Sequence, residues 1–159
     1  MTNPDDLPEA RLLRSGLTLP TIGASPGNFL PFTRTGRLLY VSGQIPIGPD
    51  GPITGQVGST VSESAARESA RLAALRVVAV IRLALGSLDR VARIVKVNGY
   101  VNGVAGFGGQ PAVIDGCSEL LVEIFGERGR HARAAIGAAG LPFNVPVEVE
   151  VIVEAVDEW

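Results

Sequence analysis

The stretch HARAAIGAAGLPFNVPVEVEVIVEA, residues 131–155, carries the pattern that decides the fold. After a Leu-Pro turn at Leu141, the segment from Val147 to Val156 alternates valine with glutamate. Successive side chains of a β-strand point to opposite faces of a sheet, so this segment is predicted to be a strand with a valine face and a glutamate face. The valine face suits packing against helices. The glutamate face also carries Ile152, which predicts contact with a partner in a symmetric oligomer.

The rest of the chain supplies the other elements of one domain. Small apolar residues at three- and four-residue steps predict helices, and runs of β-branched residues predict strands. The predicted strands are Leu38–Ser42, a weaker Ile53–Val57 that would complete a hairpin, Val91–Val101, 131–138 and the final segment, and the predicted helices run from Thr60 or Ser62 to Gly86 and from Pro111 to Phe125. The order β-β-α-β-α-β-β predicts an α+β domain, with a mixed sheet and two helices on one face. Residues 1–27 are predicted to be an N-terminal arm and residues 28–159 a single domain.

Composition narrows the class of protein. The net charge of −2 argues weakly against a nucleic-acid-binding scaffold, because such domains carry an excess of basic residues. A single cysteine, Cys117, rules out an intrachain disulfide. Charged residues interrupt every apolar run before it reaches the roughly 20 residues of a membrane span. These features predict a soluble, cytoplasmic protein.

Several tempting residues are better explained by structure than by chemistry. Gly106 and Gly108 precede Pro111 where a dinucleotide fingerprint needs a third glycine, so a loop is predicted there. His131 is the single histidine and has no companion ligands at metal spacing, so no metal site is predicted. Cys117 lies on an apolar helix stripe and is predicted to be a buried thiol. Ser42 lacks the glycine two residues earlier that a nucleophile elbow carries.

Arg133 is the candidate with a chemical role. Its neighbours on the same side of the predicted strand, Ala135 and Gly137, are small and leave space beside it. A guanidinium next to such a space suits a small carboxylate, which it can hold through two hydrogen bonds. The alternative is a salt bridge to one of the glutamates of the last strand. Spacing alone favours the salt bridge.

Two motifs resemble a known family. The segments YVSGQIPI (residues 40–47) and ARAAIGAAGLPFNVPVEVEVIVEA (residues 132–155) resemble the reactive-intermediate deaminase family, also called YjgF-like, Rid or endoribonuclease L-PSP proteins. The likeness covers residues 28–156. The chain is most similar to a longer subgroup, which shares the FGERGRHAR segment of residues 125–133.

The resemblance implies a chorismate-mutase-like fold and a homotrimer. Three sheets would form an inner barrel with the helices outside, and three sites would lie in clefts between subunits. It implies hydrolysis of 2-imino or enamino acids, of the 2-iminobutanoate and 2-iminopropanoate type, to 2-keto acids and ammonia. It implies neither a cofactor nor a metal. The implied partners are a small 2-imino or 2-keto acid and further copies of the chain, with no membrane or nucleic acid.

The resemblance also assigns residues. It makes Arg133 the group that binds the substrate carboxylate and Glu148 the group that places the attacking water. Backbone groups at Gly43 and Ala135 would complete the pocket.

Two positions depart from the family pattern. Phe29 stands where active members often carry a tyrosine, and Ser118 is the nearest match to a usual asparagine. These departures keep open an alternative, a non-catalytic trimer that binds a small carboxylate or keto acid. An endoribonuclease is the weakest interpretation, since the chain is acidic and has one histidine.

Overall fold

The computed structural model describes residues 6–158 of the chain. The helices are α1 (Pro8–Ser15), α2 (Glu63–Leu85) and α3 (Gln110–Phe125). The strands are β1 (Phe32–Thr35), β2 (Leu38–Gln44), β3 (Ile47–Gly48), β4 (Gly51–Pro52), β5 (Val91–Val101), β6 (Ala132–Gly137) and β7 (Val147–Ala155). Short 3-10 turns occur at Leu88–Arg90, Gly126–Gly129 and Pro142–Asn144.

Five strands form one mixed sheet in the order β1-β2-β7-β5-β6. The β5–β6 pair is parallel and the other pairs are antiparallel. A parallel pair needs a crossover connection, and here α3 provides it between β5 and β6. The predicted α+β class, with a mixed sheet and two long helices on one face, is confirmed.

The core lies between the sheet and the two long helices. In β7 the four valines Val147, Val149, Val151 and Val153 are buried, as their alternation predicts. At the centre of β5, Gly99 lets α3 come close, because a Cβ there would lie 2.5 Å from Ile114 Cγ1. We call the face of the sheet covered by α2 and α3 the helix side.

The opposite face, here called the open side, is not covered by any helix or second sheet among residues 6–158. It carries Glu148, Glu150, Ile152 and Glu154 of β7, all partly accessible. Tyr40 and Ile136, which are 39% and 52% exposed, also belong to this side, since they pair with Ile152 and Tyr100. A partly apolar open side is what the sequence predicts for a sheet that meets a partner, and the trimer stays a prediction.

The helix limits match the predicted capping signals. The Oγ of Ser62 accepts a hydrogen bond from the backbone N–H of Ala65 and caps α2. Gly86 ends α2 with a φ of 78°, in the left-handed region that glycine adopts without a Cβ penalty. Gly126 ends α3.

Helix α1 is absent from the predicted order. It spans only eight residues, too few for a convincing period, and its stability comes from packing. Leu12 is 6% exposed. Glu9 accepts a hydrogen bond from the backbone N–H of Leu88 at 3.0 Å and pairs with Arg82 at 3.0 Å. Part of the predicted arm is therefore a packed helix.

The predicted strand Ile53–Val57 is wrong. The hairpin forms earlier, with Ile47 opposite Pro52 and Gly48 opposite Gly51. Val57 makes only isolated bridges, to Val61 and Gly103. The turn between positions 48 and 51 therefore decides where the hairpin forms. Strand β2 pairs with β1, a strand that the sequence did not predict.

No helix among residues 6–158 is long and apolar enough to cross a membrane.

Candidate functional site

Arg133 lies on the helix side of the sheet. Its register partner on β5 is Val97, which is fully buried beneath the helices. Its NH1 donates to Asp115 Oδ1 at 2.7 Å and to Ser118 Oγ at 3.2 Å, and its NH2 donates to the carbonyl of Pro111 at 3.3 Å. The side chain is 23% exposed, so part of it is accessible.

Spacing predicts a salt bridge between Arg133 and a glutamate of the last strand, and the predicted partner is wrong. The glutamates of β7 point to the open side, whereas Arg133 points to the helix side. Its carboxylate partner is Asp115, on α3. Sequence reasoning missed Asp115 because no local spacing links it to Arg133. The available signal was the β5-α3-β6 crossover, which places α3 over β6.

Ser118 and His131 continue the hydrogen-bond network of Arg133. His131 Nδ1 lies 2.6 Å from the carbonyl of Gly129, which can only accept, so we assign the proton to Nδ1. His131 Nε2 then accepts from Ser118 Oγ at 2.9 Å, while Ser118 Oγ accepts from Arg133. Burial, and then the charge of Arg133, lower the pKa of His131, in keeping with a neutral ring. The prediction of a structural histidine agrees with these contacts.

Ala135 lies two residues beyond Arg133 on the same side of β6. It pairs with Gly99 and is partly buried against the core. Its methyl group offers no hydrogen bond, so only its backbone could contact a ligand. Arg133, Ser118, Ala135 and Asp115 together form what we call the arginine cluster.

Glu148 lies on the open side, near the start of β7. It faces a bulge in β2, where the register shifts between Val41 and Gln44. Gly43 occupies this bulge, and a Cβ on Gly43 would collide with the Glu148 carboxylate, 3.0 Å from its Cδ. Glycine is thus required for the strand and the carboxylate to approach this closely.

The electrostatic surroundings of Glu148 disfavour its charged form. Burial, and then the nearby charge of Glu150, raise the pKa of Glu148. Glu150 itself accepts hydrogen bonds from Asn98 Nδ2 and Tyr100 Oη, both at 2.9 Å. Glu154 pairs with Arg37 at 2.6 Å and with Arg93 at 2.8 Å. Glu150 and Glu154 are therefore occupied by partners within the sheet, and the side chain of Glu148 makes no hydrogen bond or ion pair among residues 6–158.

A pocket of about 530 Å³ adjoins Glu148. Gly43 and Phe29 also line it, and Phe29 is 52% exposed. Most of the other residues that line the pocket are apolar, and one of them is an arginine, Arg76 of α2. The remaining lining residues are Ile22, Gly23, Ala24, Ser25, Pro26, Pro31, Gln44, Ile45, Ile47, Pro52, Pro142 and Phe143. We call Glu148, Gly43 and Phe29 the glutamate cluster.

The predicted site residues thus fall into two clusters on opposite sides of the sheet. Strand β5 separates β6 from β7, which places Arg133 and Glu148 about 10 Å apart across the sheet. Arg133 is level with Val151 through Val97, so Glu148 lies a further three residues, about 10 Å, along the strand. One small ligand cannot contact both side chains of the same chain.

Cys117 is buried in α3 and takes no part in either cluster. Burial raises the pKa of its thiol to about 12, so it is protonated at neutral pH. Among residues 6–158, no group of three or more His, Cys, Asp or Glu side chains could hold a metal ion.

Comparison with known proteins places this chain in a family. A family model described as "YjgF/chorismate_mutase-like, putative endoribonuclease" matches residues 9–155. The match includes most of α1, whereas the motifs alone suggested a start at residue 28. Protein TCP17 of Trypanosoma cruzi is 44% identical over 147 residues, which cover 91% of this chain and 92% of that protein.

Solved structures agree with the sequence comparison. The protein Atu1372 from Agrobacterium tumefaciens, a protein of unknown function, is 44% identical, with a TM-score of 0.85 over 95% of each chain. A protein titled "putative endoribonuclease" from Shewanella oneidensis is 36% identical, with a TM-score of 0.89 over 93% of this chain and 99% of that one. The chain belongs to the YjgF/chorismate-mutase-like family.

Proposed function

We propose that the protein hydrolyses reactive 2-imino or 2-enamino acids to 2-keto acids and ammonia, at sites formed between copies of the chain in a homotrimer. One observation carries the proposal. Arg133 and Glu148 each present an accessible group, yet they lie on opposite sides of one sheet. A site that uses both must combine the arginine cluster of one copy with the glutamate cluster of the next.

In this site Arg133 would hold the substrate carboxylate. A planar guanidinium can donate two parallel hydrogen bonds to a carboxylate and so fix its orientation. Ser118 Oγ and the carbonyl of Pro111 already accept hydrogen bonds from Arg133 and hold it in place. The imine carbon would then be fixed against one water molecule, and such positioning lowers the entropic part of the barrier.

Glu148 would accept the proton of that water. The water oxygen attacks the electrophilic imine carbon, and its first proton passes through Glu148 to the nitrogen, which gives a carbinolamine. The hydroxyl proton of that intermediate then passes through Glu148 to the nitrogen, the C–N bond breaks, and ammonia leaves as the carbonyl forms. A base is most effective when its pKa approaches the working pH. Burial and Glu150 shift the pKa of Glu148 upward, in that direction. The backbone at Gly43 and Ala135 would line the reacting centre.

A second candidate is a trimer that binds a small carboxylate without turnover. Phe29 favours it, since it brings no hydroxyl group to the pocket beside Glu148. The names of several relatives suggest an endoribonuclease. No contact at the site supports that activity here, because the nitrogens of His131 are engaged by Gly129 and Ser118.

The test is turnover of imino acids made in solution. An amino-acid oxidase would generate several 2-imino acids, and their loss would be followed with and without the protein. We expect acceleration by the wild type and its loss in Arg133→Ala. The matched control is Arg130→Ala, which removes an arginine that is 68% exposed and whose ion-pair partner within residues 6–158 is Glu127. Equal acceleration by Arg133→Ala, or none by the wild type with any imino acid, would rule out the proposal.

A further inference from the structure

The pocket beside Glu148 contains an arginine that the proposed reaction does not use. Helix α2 carries four arginines, and three of them have carboxylate partners within residues 6–158. Arg67 pairs with Glu119 at 2.5 Å, Arg71 with Glu123 at 2.8 Å and Arg82 with Glu9 at 3.0 Å. Arg76 has no such partner, although it lines the pocket.

The environment of Arg76 makes an unpaired charge costly. Its Nε is buried and has no hydrogen-bond partner among the described residues. Burial lowers the pKa of its guanidinium. A buried donor without an acceptor costs free energy, and a charged one costs more. NH1 and NH2 of Arg76 likewise have no hydrogen-bond or ion-pair partner among residues 6–158, so a ligand carboxylate that accepts from them would offset part of that cost.

The walls around Arg76 indicate what kind of ligand this would be. Ile22, Ile45, Ile47, Pro52 and Phe143 line the same pocket and offer only apolar side-chain surface. The other charged residue in the lining is Glu148, which the proposed reaction uses. Apolar walls with one cation suit an aliphatic chain that ends in an anionic group.

The volume supports the same conclusion. At about 530 Å³ the pocket falls within the range of roughly 300–1,000 Å³ that holds drug-sized ligands. A three-carbon imino acid would fill a small part of it. A longer ligand that contacts both Glu148 and Arg76 would fill more of it.

We propose that Arg76 is a second anion-binding group, and that the pocket selects 2-imino or 2-oxo acids whose side chain ends in a carboxylate. The distal carboxylate would accept hydrogen bonds from Arg76, while the aliphatic chain packs against the isoleucines. This inference rests on the proposed function for the reacting end of the ligand, which Arg133 and Glu148 would hold. Arg76 would then determine specificity, since it touches the end of the ligand remote from the reaction.

Stable 2-oxo acids test the subsite without turnover. Calorimetry on the full chain would compare 2-oxoglutarate with 2-oxopentanoate, and 2-oxoadipate with 2-oxohexanoate, so that each pair differs only in the distal carboxylate. A hydrogen bond to a charged group supports about a tenfold preference for the dicarboxylate in at least one pair. Arg76→Met should abolish the preference. Arg71→Met, which removes the same charge from the same helix outside the pocket, should retain it.

Two results would overturn the subsite: no preference in the wild type at either chain length, or a preference that Arg76→Met leaves intact. If Arg76→Met does not fold, Arg76→Gln takes its place. Turnover separates this inference from the proposed function. A preference that depends on Arg76, in a protein that hydrolyses no imino acid, would keep the subsite and reject the deaminase. Hydrolysis of imino acids with no preference for acidic side chains, and no effect of Arg76→Met, would keep the deaminase and reject the subsite.

Discussion

Asp115 is expected to weaken the binding of carboxylate ligands at Arg133, and Asp115→Asn tests this directly. The aspartate oxygen lies 2.7 Å from Arg133 NH1 and accepts a hydrogen bond from it. For a ligand carboxylate held by the remaining N–H groups of Arg133 we take a separation of about 5 Å from Asp115. Two like charges at that distance repel by roughly 1 kcal/mol in water and about 3 kcal/mol at an effective dielectric constant of 20.

The exposure of the pair sets where in that range the effect falls. The side chains of Arg133 and Asp115 are 23% and 44% exposed, so solvent screens much of the repulsion. We therefore expect the lower end, about 1 kcal/mol, which corresponds to roughly fivefold tighter binding in Asp115→Asn. The asparagine oxygen can still accept from Arg133, so the free energy of unfolding should change by less than about 1 kcal/mol.

The assay is calorimetric titration with 2-oxobutanoate at two salt concentrations. Glu119→Gln is the matched control, because it removes the same charge from α3 at a residue that pairs with Arg67 and not with Arg133. Its affinity should match that of the wild type. Weaker binding by Asp115→Asn would refute this reasoning and would make Asp115 a support for Arg133 instead of a competitor. The same gain in affinity in Glu119→Gln would also refute it.

Three further changes test the open side of the sheet. The raised pKa of Glu148 means that folding disfavours its charged form, so stability falls as pH rises from its unfolded pKa through its folded pKa. In thermal scans, Glu148→Gln should therefore raise the Tm at pH 7 by less than about 4 °C and leave it unchanged near pH 3. Gly43→Ala should displace the flexible Glu148 carboxylate, so we expect turnover to fall about tenfold or more while urea unfolding changes by less than about 1 kcal/mol. Ile136→Asp, at a side chain that is 52% exposed on the open side, should shift the mass in analytical ultracentrifugation from trimer to monomer with the far-UV spectrum unchanged. A monomeric wild type would contradict the last prediction and remove the basis for a shared site.

The long elements could be predicted because each follows one period and has local end signals. Valine alternation identified β7, and the alanine-rich stripe with Ser62 and Gly86 gave the limits of α2. Helix α1 escaped because eight residues rarely form a helix without packing, and its contacts to Leu88 and Arg82 come from a distant part of the chain. Local sequence does not contain such contacts.

The sequence by itself determined that Arg133 and Glu148 each lie on an alternating strand, since side chains on strands have a period of two. It indicated that the helices pack on the valine face of the last strand, but it did not determine on which face of the sheet Arg133 lies. Tertiary structure decided that, through the parallel β5–β6 pair and the α3 crossover between them. The crossover turns Arg133 toward Asp115 and leaves Glu148 on the open side. Strand order and helix placement depend on contacts between distant segments, so only the folded chain could show that the two groups cannot meet within one copy.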